Sequence, residues 1–164
     1  MMKLVYIKKM TAVFAFCMIV TVSAIAQEKN DAIALFNQGV EQMKASDPKA
    51  VSTFEQCVVV CEQIGDSAAD IKAKATGVIP DLYYKKAFNT LTVDKKIPEA
   101  IVDIKKAGSV AEKYNDTAVK ENTDKLLVQA YTNMASGYIA AKDNAKAIAA
   151  FDSVLMINPN HVPS

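Results

Sequence analysis

Acid–base chemistry needs carboxylates or imidazoles held close together, and the first candidates along this 164-residue chain are Asp66, Asp70, Asp81 and Glu99. All four stand at expected helix starts or on polar faces, where capping and solvation are the ordinary tasks of a carboxylate. Thiol chemistry would fall to Cys57 and Cys61. Their i,i+4 spacing places both on one helical face, a poor geometry for a disulfide, and suits two small apolar residues in a helix interface. A disulfide or a metal pair is the alternative. Further metal ligands are lacking, because the only histidine is His161, near the end of the sequence. No serine sits on a strand-to-helix elbow, and there is no arginine. No catalytic residue, metal or cofactor is expected, and the chain is not expected to be an enzyme.

All 19 basic residues are lysine. The clusters at 72/74, 85/86, 95/96 and 105/106 fit solvated helix faces, with contact to an acidic partner or surface as the alternative. Nucleic-acid and phosphate sites lean on the bidentate fork of arginine, and tryptophan, a strong stacking platform, is absent as well. Nucleic acid is therefore not an expected partner.

The elements that position these residues are expected to begin after residue 26. Lys3, Lys8 and Lys9 form a basic start, Met10 to Ala26 carries no charge, and Ala24-Ile25-Ala26 offers the small-x-small pattern of a signal-peptide cleavage site. The uncharged run is short for a membrane span and is diluted by Thr11, Thr21 and Ser23. Residues 1–26 are thus expected to be a cleaved signal peptide, with an uncleaved anchor as the competing possibility. The mature protein would be 27–164, one domain of 164 less 26, or 138, residues, exported and periplasmic or envelope-associated, with no membrane insertion after cleavage. Its 19 less 3, or 16, lysines against 18 acidic residues leave a net charge of −2.

Apolar residues in the mature part recur in steps of three and four, the period of a helix, with no sustained alternation of period two. Val51, Phe54, Cys57, Val58 and Cys61 form one such face; Ala147, Ile148, Phe151, Val154 and Leu155 form another. Asp47-Pro48, Gly65-Asp66, Pro98, Asn115-Asp116 and Asp143-Asn144 supply stops and caps. Helices are expected over 29–45, 48–64, 67–93, 97–114, 117–141 and 145–157, with Pro80 kinking or splitting the third. The pattern also repeats. "CEQIGDSA" at 61–68 matches "AEKYNDTA" at 111–118, an offset of 50, and an offset of 47 carries Ala100, Ile104 and Ala107 to Ala147, Phe151 and Val154. Three copies of a helix pair at such spacing predict a solenoid.

In the last copy, Tyr131, Met134, Ala135, Tyr138, Ala147, Phe151, Val154 and Pro159 resemble the eight signature positions of the tetratricopeptide repeat, with Ala135 for the usual glycine and Val154 for the usual alanine. Tyr83, Ala87, Ala100, Ile104 and Ala107 match in the middle copy, and Leu35, Gly39, Ala50, Phe54 and Cys57 in the first. The resemblance implies an all-α fold: a short right-handed α-solenoid of three antiparallel helix pairs, longer than the usual unit. It also implies binding of a protein or peptide in a concave groove, which carried over position by position would hold Phe36, Val40, Tyr84, Phe88, Thr132 and Ser136. Asn37, Lys85 and Asn133 lie nearby, an incomplete set for the family's carboxylate-binding subclass. The expected function is a protein–protein interaction scaffold of the envelope or periplasm. The alternatives are a self-assembling structural protein, using Val154 and Leu155 of the last helix as an uncovered apolar edge for a second copy, and a binder of small apolar ligands.

Overall fold

The computed structural model describes residues 28–159. The expected signal peptide, its cleavage site and His161 lie outside the described residues. Every regular element among those described is helical, as the period predicts. Helix α1 covers 28–44. It is followed by α2 (Ala50–Ile64), a single 3-10 turn (Gly65–Ala68), α3 (Ala69–Thr92), α4 (Ile97–Lys113), α5 (Thr117–Ala140) and α6 (Asn144–Ile157).

Three junctions share one device. Ser46, Asn115 and Lys142 follow a helix in the left-handed conformation, with φ of 56°, 57° and 60°, and an aspartate comes next each time. The aspartate N–H donates back to a carbonyl five residues earlier, Asp47 to Gln42, Asp116 to Ala111 and Asp143 to Tyr138. This closure satisfies a carbonyl that the ending helix leaves unpaired. The aspartate side chain then serves the next helix. Asp116 accepts from the Val119 N–H at 3.0 Å and Asp143 from the Lys146 N–H at 3.2 Å, while Asp47 accepts from Lys49 at 2.9 Å.

Gly65-Asp66, matched in sequence to Asn115-Asp116, does something else. Gly65 takes φ 80° and ψ −147°, a conformation open essentially to glycine alone, and leads into the 3-10 turn. Helix α3 therefore begins at Ala69, two residues later than expected. It then runs unbroken through Pro80, which corrects the expected split. A proline removes one backbone donor, but the Pro80 ring is fully buried, and packing holds the helix together across that turn.

Packing groups the residues into two compact units, divided between Ala75 and Thr76 within α3. In the first, Phe54, Cys57 and Cys61 are fully buried together with Ala32, Ala50, Ala68 and Ala75. Gly39 makes room for Phe54: a Cβ there would stand 2.9 Å from the ring. The Cys57 thiol donates to the Ala32 carbonyl at 3.4 Å, tying α2 to α1. Both cysteines are free and buried, as residues of a helix interface are expected to be. Burial, reinforced by the neighbouring Cys61, pushes the Cys57 thiol up to about 12, which makes it a poor nucleophile.

In the second unit α4 packs on α5 and α5 on α6. Ala87 and Leu91 of α3, Ala100, Ile101 and Ile104 of α4, and Leu126 and Ala130 of α5 form one buried cluster, with Tyr84, Tyr131 and Met134 half-buried against it. Ala135 of α5 and Ala147, Ala150 and Val154 of α6 are buried too. Val154 is thus not part of an uncovered edge, contrary to expectation. Leu155, 46 % exposed, and Met156, 86 % exposed, are.

Candidate interaction surface

The six expected groove residues differ in what their side chains do. Phe36 and Val40 belong to the first unit and are half-buried. The Phe36 ring meets the fully buried Phe54 edge-on, centroids 5.6 Å apart, so much of its surface is spent on packing. Such edge-to-face pairs add about 0.5–1.5 kcal/mol beyond burial.

Tyr84, Phe88, Thr132 and Ser136 belong to the second unit. Tyr84 leans on the buried cluster, and Phe88, one helical turn on, lies beside it with centroids 6.2 Å apart. Phe88 is 42 % exposed. The hydroxyl of Thr132 donates to the Val128 carbonyl at 2.9 Å, and that of Ser136 to the Thr132 carbonyl at 3.0 Å. Both hydroxyls bond within α5 itself, which leaves their oxygen lone pairs and not their protons for a ligand.

Behind Phe88 a polar clasp fixes α3 against α4. Thr90 donates to Asp103 Oδ2 at 3.0 Å and lies 3.0 Å from the Lys86 carbonyl, and Lys86 reaches Asp103 Oδ1 at 2.8 Å. Thr90 is 9 % exposed and the Asp103 side chain 21 %, so this is a partly desolvated contact. It holds α3 where Phe88 can present its ring.

Further along α3 lies an open cavity of about 390 Å³. Leu91 and Ile97 supply apolar wall, Gln129 and Asn133 supply amides from α5, and Lys95 is the one charged residue lining it. Of the residues expected near the groove, Asn133 is here. Gln129, one turn earlier on α5, was findable from its helical spacing. Lys95 was not, because it belongs to the α3–α4 connection, whose path no periodicity describes; Ile97 opens α4 directly after it.

Two smaller cavities have other characters. Between α4 and α5, about 210 Å³ is bounded in part by Lys120, whose ammonium bridges Asp124 at 2.6 Å and Glu112 at 3.7 Å. The hydrogen bond to Asp124 raises the lysine pKa, against the opposing effect of burial. Two carboxylates share this one ammonium, Lys105 also lines the cavity, and the Lys120–Glu112 contact joins α4 to α5. Between α5 and α6, about 200 Å³ is lined by Tyr131, Met134 and Tyr138, with Lys146 5.6 Å from the centre of the Tyr138 ring. Lys146 also bonds to Asp143 at 2.8 Å, which raises the lysine pKa and lowers that of the aspartate.

Among the described residues no group of three or more His, Cys, Asp or Glu side chains is placed to hold a metal ion, and no helix is long and apolar enough to cross a membrane. No known protein family matches the chain, and no curated protein and no solved structure matches it either.

Proposed function

We propose that the chain is a non-enzymatic, tetratricopeptide-like scaffold of the cell envelope or periplasm that captures a protein segment on the second unit. The exposed Phe88 carries this reading. A phenylalanine with 42 % of its surface in water, set beside Tyr84 on a helix fixed by the Thr90–Asp103–Lys86 clasp, is an apolar anchor close to a cavity lined by the amides of Gln129 and Asn133. Rigid aromatic anchors commonly dominate binding energy at protein interfaces. The repeat-like spacing of small and large residues supports a solenoid of helix pairs, and the basic, uncharged and Ala-Ile-Ala segments support export.

Site-specific photocrosslinking from position 88 in the producing cell tests the proposal. A single discrete adduct, lost when the Thr90 clasp is removed, is expected. No adduct beyond background, from position 88 and from Asn133 alike, would defeat the proposed surface.

Helix α6 favours a second reading, association with a copy of the same chain. Ile148 at 61 %, Leu155 at 46 % and Met156 at 86 % exposure put three large apolar residues on one helix in water. Light scattering across a concentration series separates it from capture of another protein.

A further inference from the structure

The lysine clusters noted in the sequence are not equivalent once folded. Lys86 is bound to Asp103. Lys105 and Lys106, by contrast, form no ion pair among the described residues, nor do Lys96 and Lys113. Along α4, Val102, Lys106, Ser109 and Lys113 follow one another in steps of three and four, with Lys105 three residues after Val102 and four before Ser109, which puts them on one ridge. Every one of them is exposed, and Val102, near the middle, is 67 % exposed. Lys96 stands just before the helix start. The exposed carboxylates of α4 are Glu99 and Glu112, and Glu112 shares Lys120 with Asp124. Four cations against two anions still leave a positive face on a chain whose described part has 16 lysines and 18 acidic residues.

Three of those cations are also held in place. Lys105 lies 5.7 Å from the centre of the Tyr131 ring, Lys106 5.7 Å from that of Tyr83, and Lys113 5.0 Å from that of Tyr114. A tyrosine face steadies an ammonium without neutralising it. The chemistry of the cations points to the kind of partner. Arginine would favour bidentate recognition of single carboxylates or phosphates, whereas lysine is a hydrated point charge suited to a diffuse field of anions. An exposed valine among lysines adds apolar contact that such a field must tolerate at its surface.

We propose that the α4 ridge docks on the surface of an anionic lipid bilayer, with Lys96, Lys105, Lys106 and Lys113 among the headgroups and Val102 facing the interface. It does not rest on the peptide surface proposed above, since Phe88 is not on this ridge. The attraction of lysines to such a surface is electrostatic, and it fades as added salt shortens the Debye length from about 10 Å at 0.1 M to about 3 Å at 1 M.

The test is flotation of the full chain with phosphatidylglycerol vesicles, compared with the Lys105→Gln/Lys106→Gln/Lys113→Gln variant. The uncharged run Met10–Ala26 is the same in both proteins, so the difference between them reads the ridge alone. Wild type is expected to bind at least about tenfold more tightly than the variant at 0.1 M salt, and the difference is expected to vanish at 1 M. The matching lysine-to-arginine variant is expected to bind like wild type, which guards against loss through misfolding. Equal binding of wild type and the glutamine variant would overturn the proposal. So would an equal difference on phosphatidylcholine vesicles.

Discussion

Gly39 is a place where one hydrogen atom decides packing. A methyl there would stand 2.9 Å from the buried Phe54 ring, which has no free end to swing away. Gly39→Ala gains up to about 1 kcal/mol of helix propensity and incurs about 1–3 kcal/mol of overpacking. The expected outcome is a net loss, read as a lower denaturant midpoint. Cys57 makes a second residue-scale prediction. Its thiol keeps its proton in the folded state up to about pH 12, whereas an unfolded thiol releases it near 9.0. The folded state therefore binds more protons across that window, and stability falls as pH rises through it. Denaturation curves from pH 8 to 11 should show a shallower decline in Cys57→Ala than in wild type. In the same range both native thiols should alkylate only as fast as the protein opens.

Helix ends repay the same attention. Asp116 closes α4 through its backbone and caps α5 through its side chain. Asp116→Ala should cost about 0.5–2 kcal/mol, the usual value of a capping side chain, with the backbone closure left intact. Thermal denaturation of Asp116→Ala, with Asp66→Ala as a control that removes no cap of a helix start, checks this. The helices themselves were largely legible from the amino acids, because apolar steps of three and four and the Asp47, Asn115-Asp116 and Asp143 punctuation are local signals. The kinship of the turns was not. Ser46 and Lys142 carry no left-handed preference that a reader could recognise, while Gly65 does and uses it for a different conformation. The candidate surface was half legible: periodicity placed Phe88 and Asn133 on helix faces, but only the folded chain shows that Phe36 is occupied by Phe54 and that Lys95 borders the cavity.

At the scale of the molecule, stability and binding should separate. Phe88→Ala removes a ring already 42 % in water, so its stability cost should fall well below the roughly 3–5 kcal/mol of a core phenylalanine. Its effect on partner capture should reach at least about 1 kcal/mol. A denaturation curve and a quantitative pull-down of the photocrosslinked partner on the same variant measure both. Association through α6 predicts a concentration-dependent mass that Leu155→Lys abolishes; an unchanged mass in that variant would remove α6 as the contact. The aspartate junctions have a consequence in time as well. Each closes with groups drawn from eight or nine neighbouring residues, Ala111 to Val119 in one case, so none waits for a distant part of the chain. Contacts of short sequence range form early and quickly. A polypeptide that emerges gradually, whether from a ribosome or through a membrane pore, can therefore set each bend as it appears, and its order of folding can follow its order of arrival.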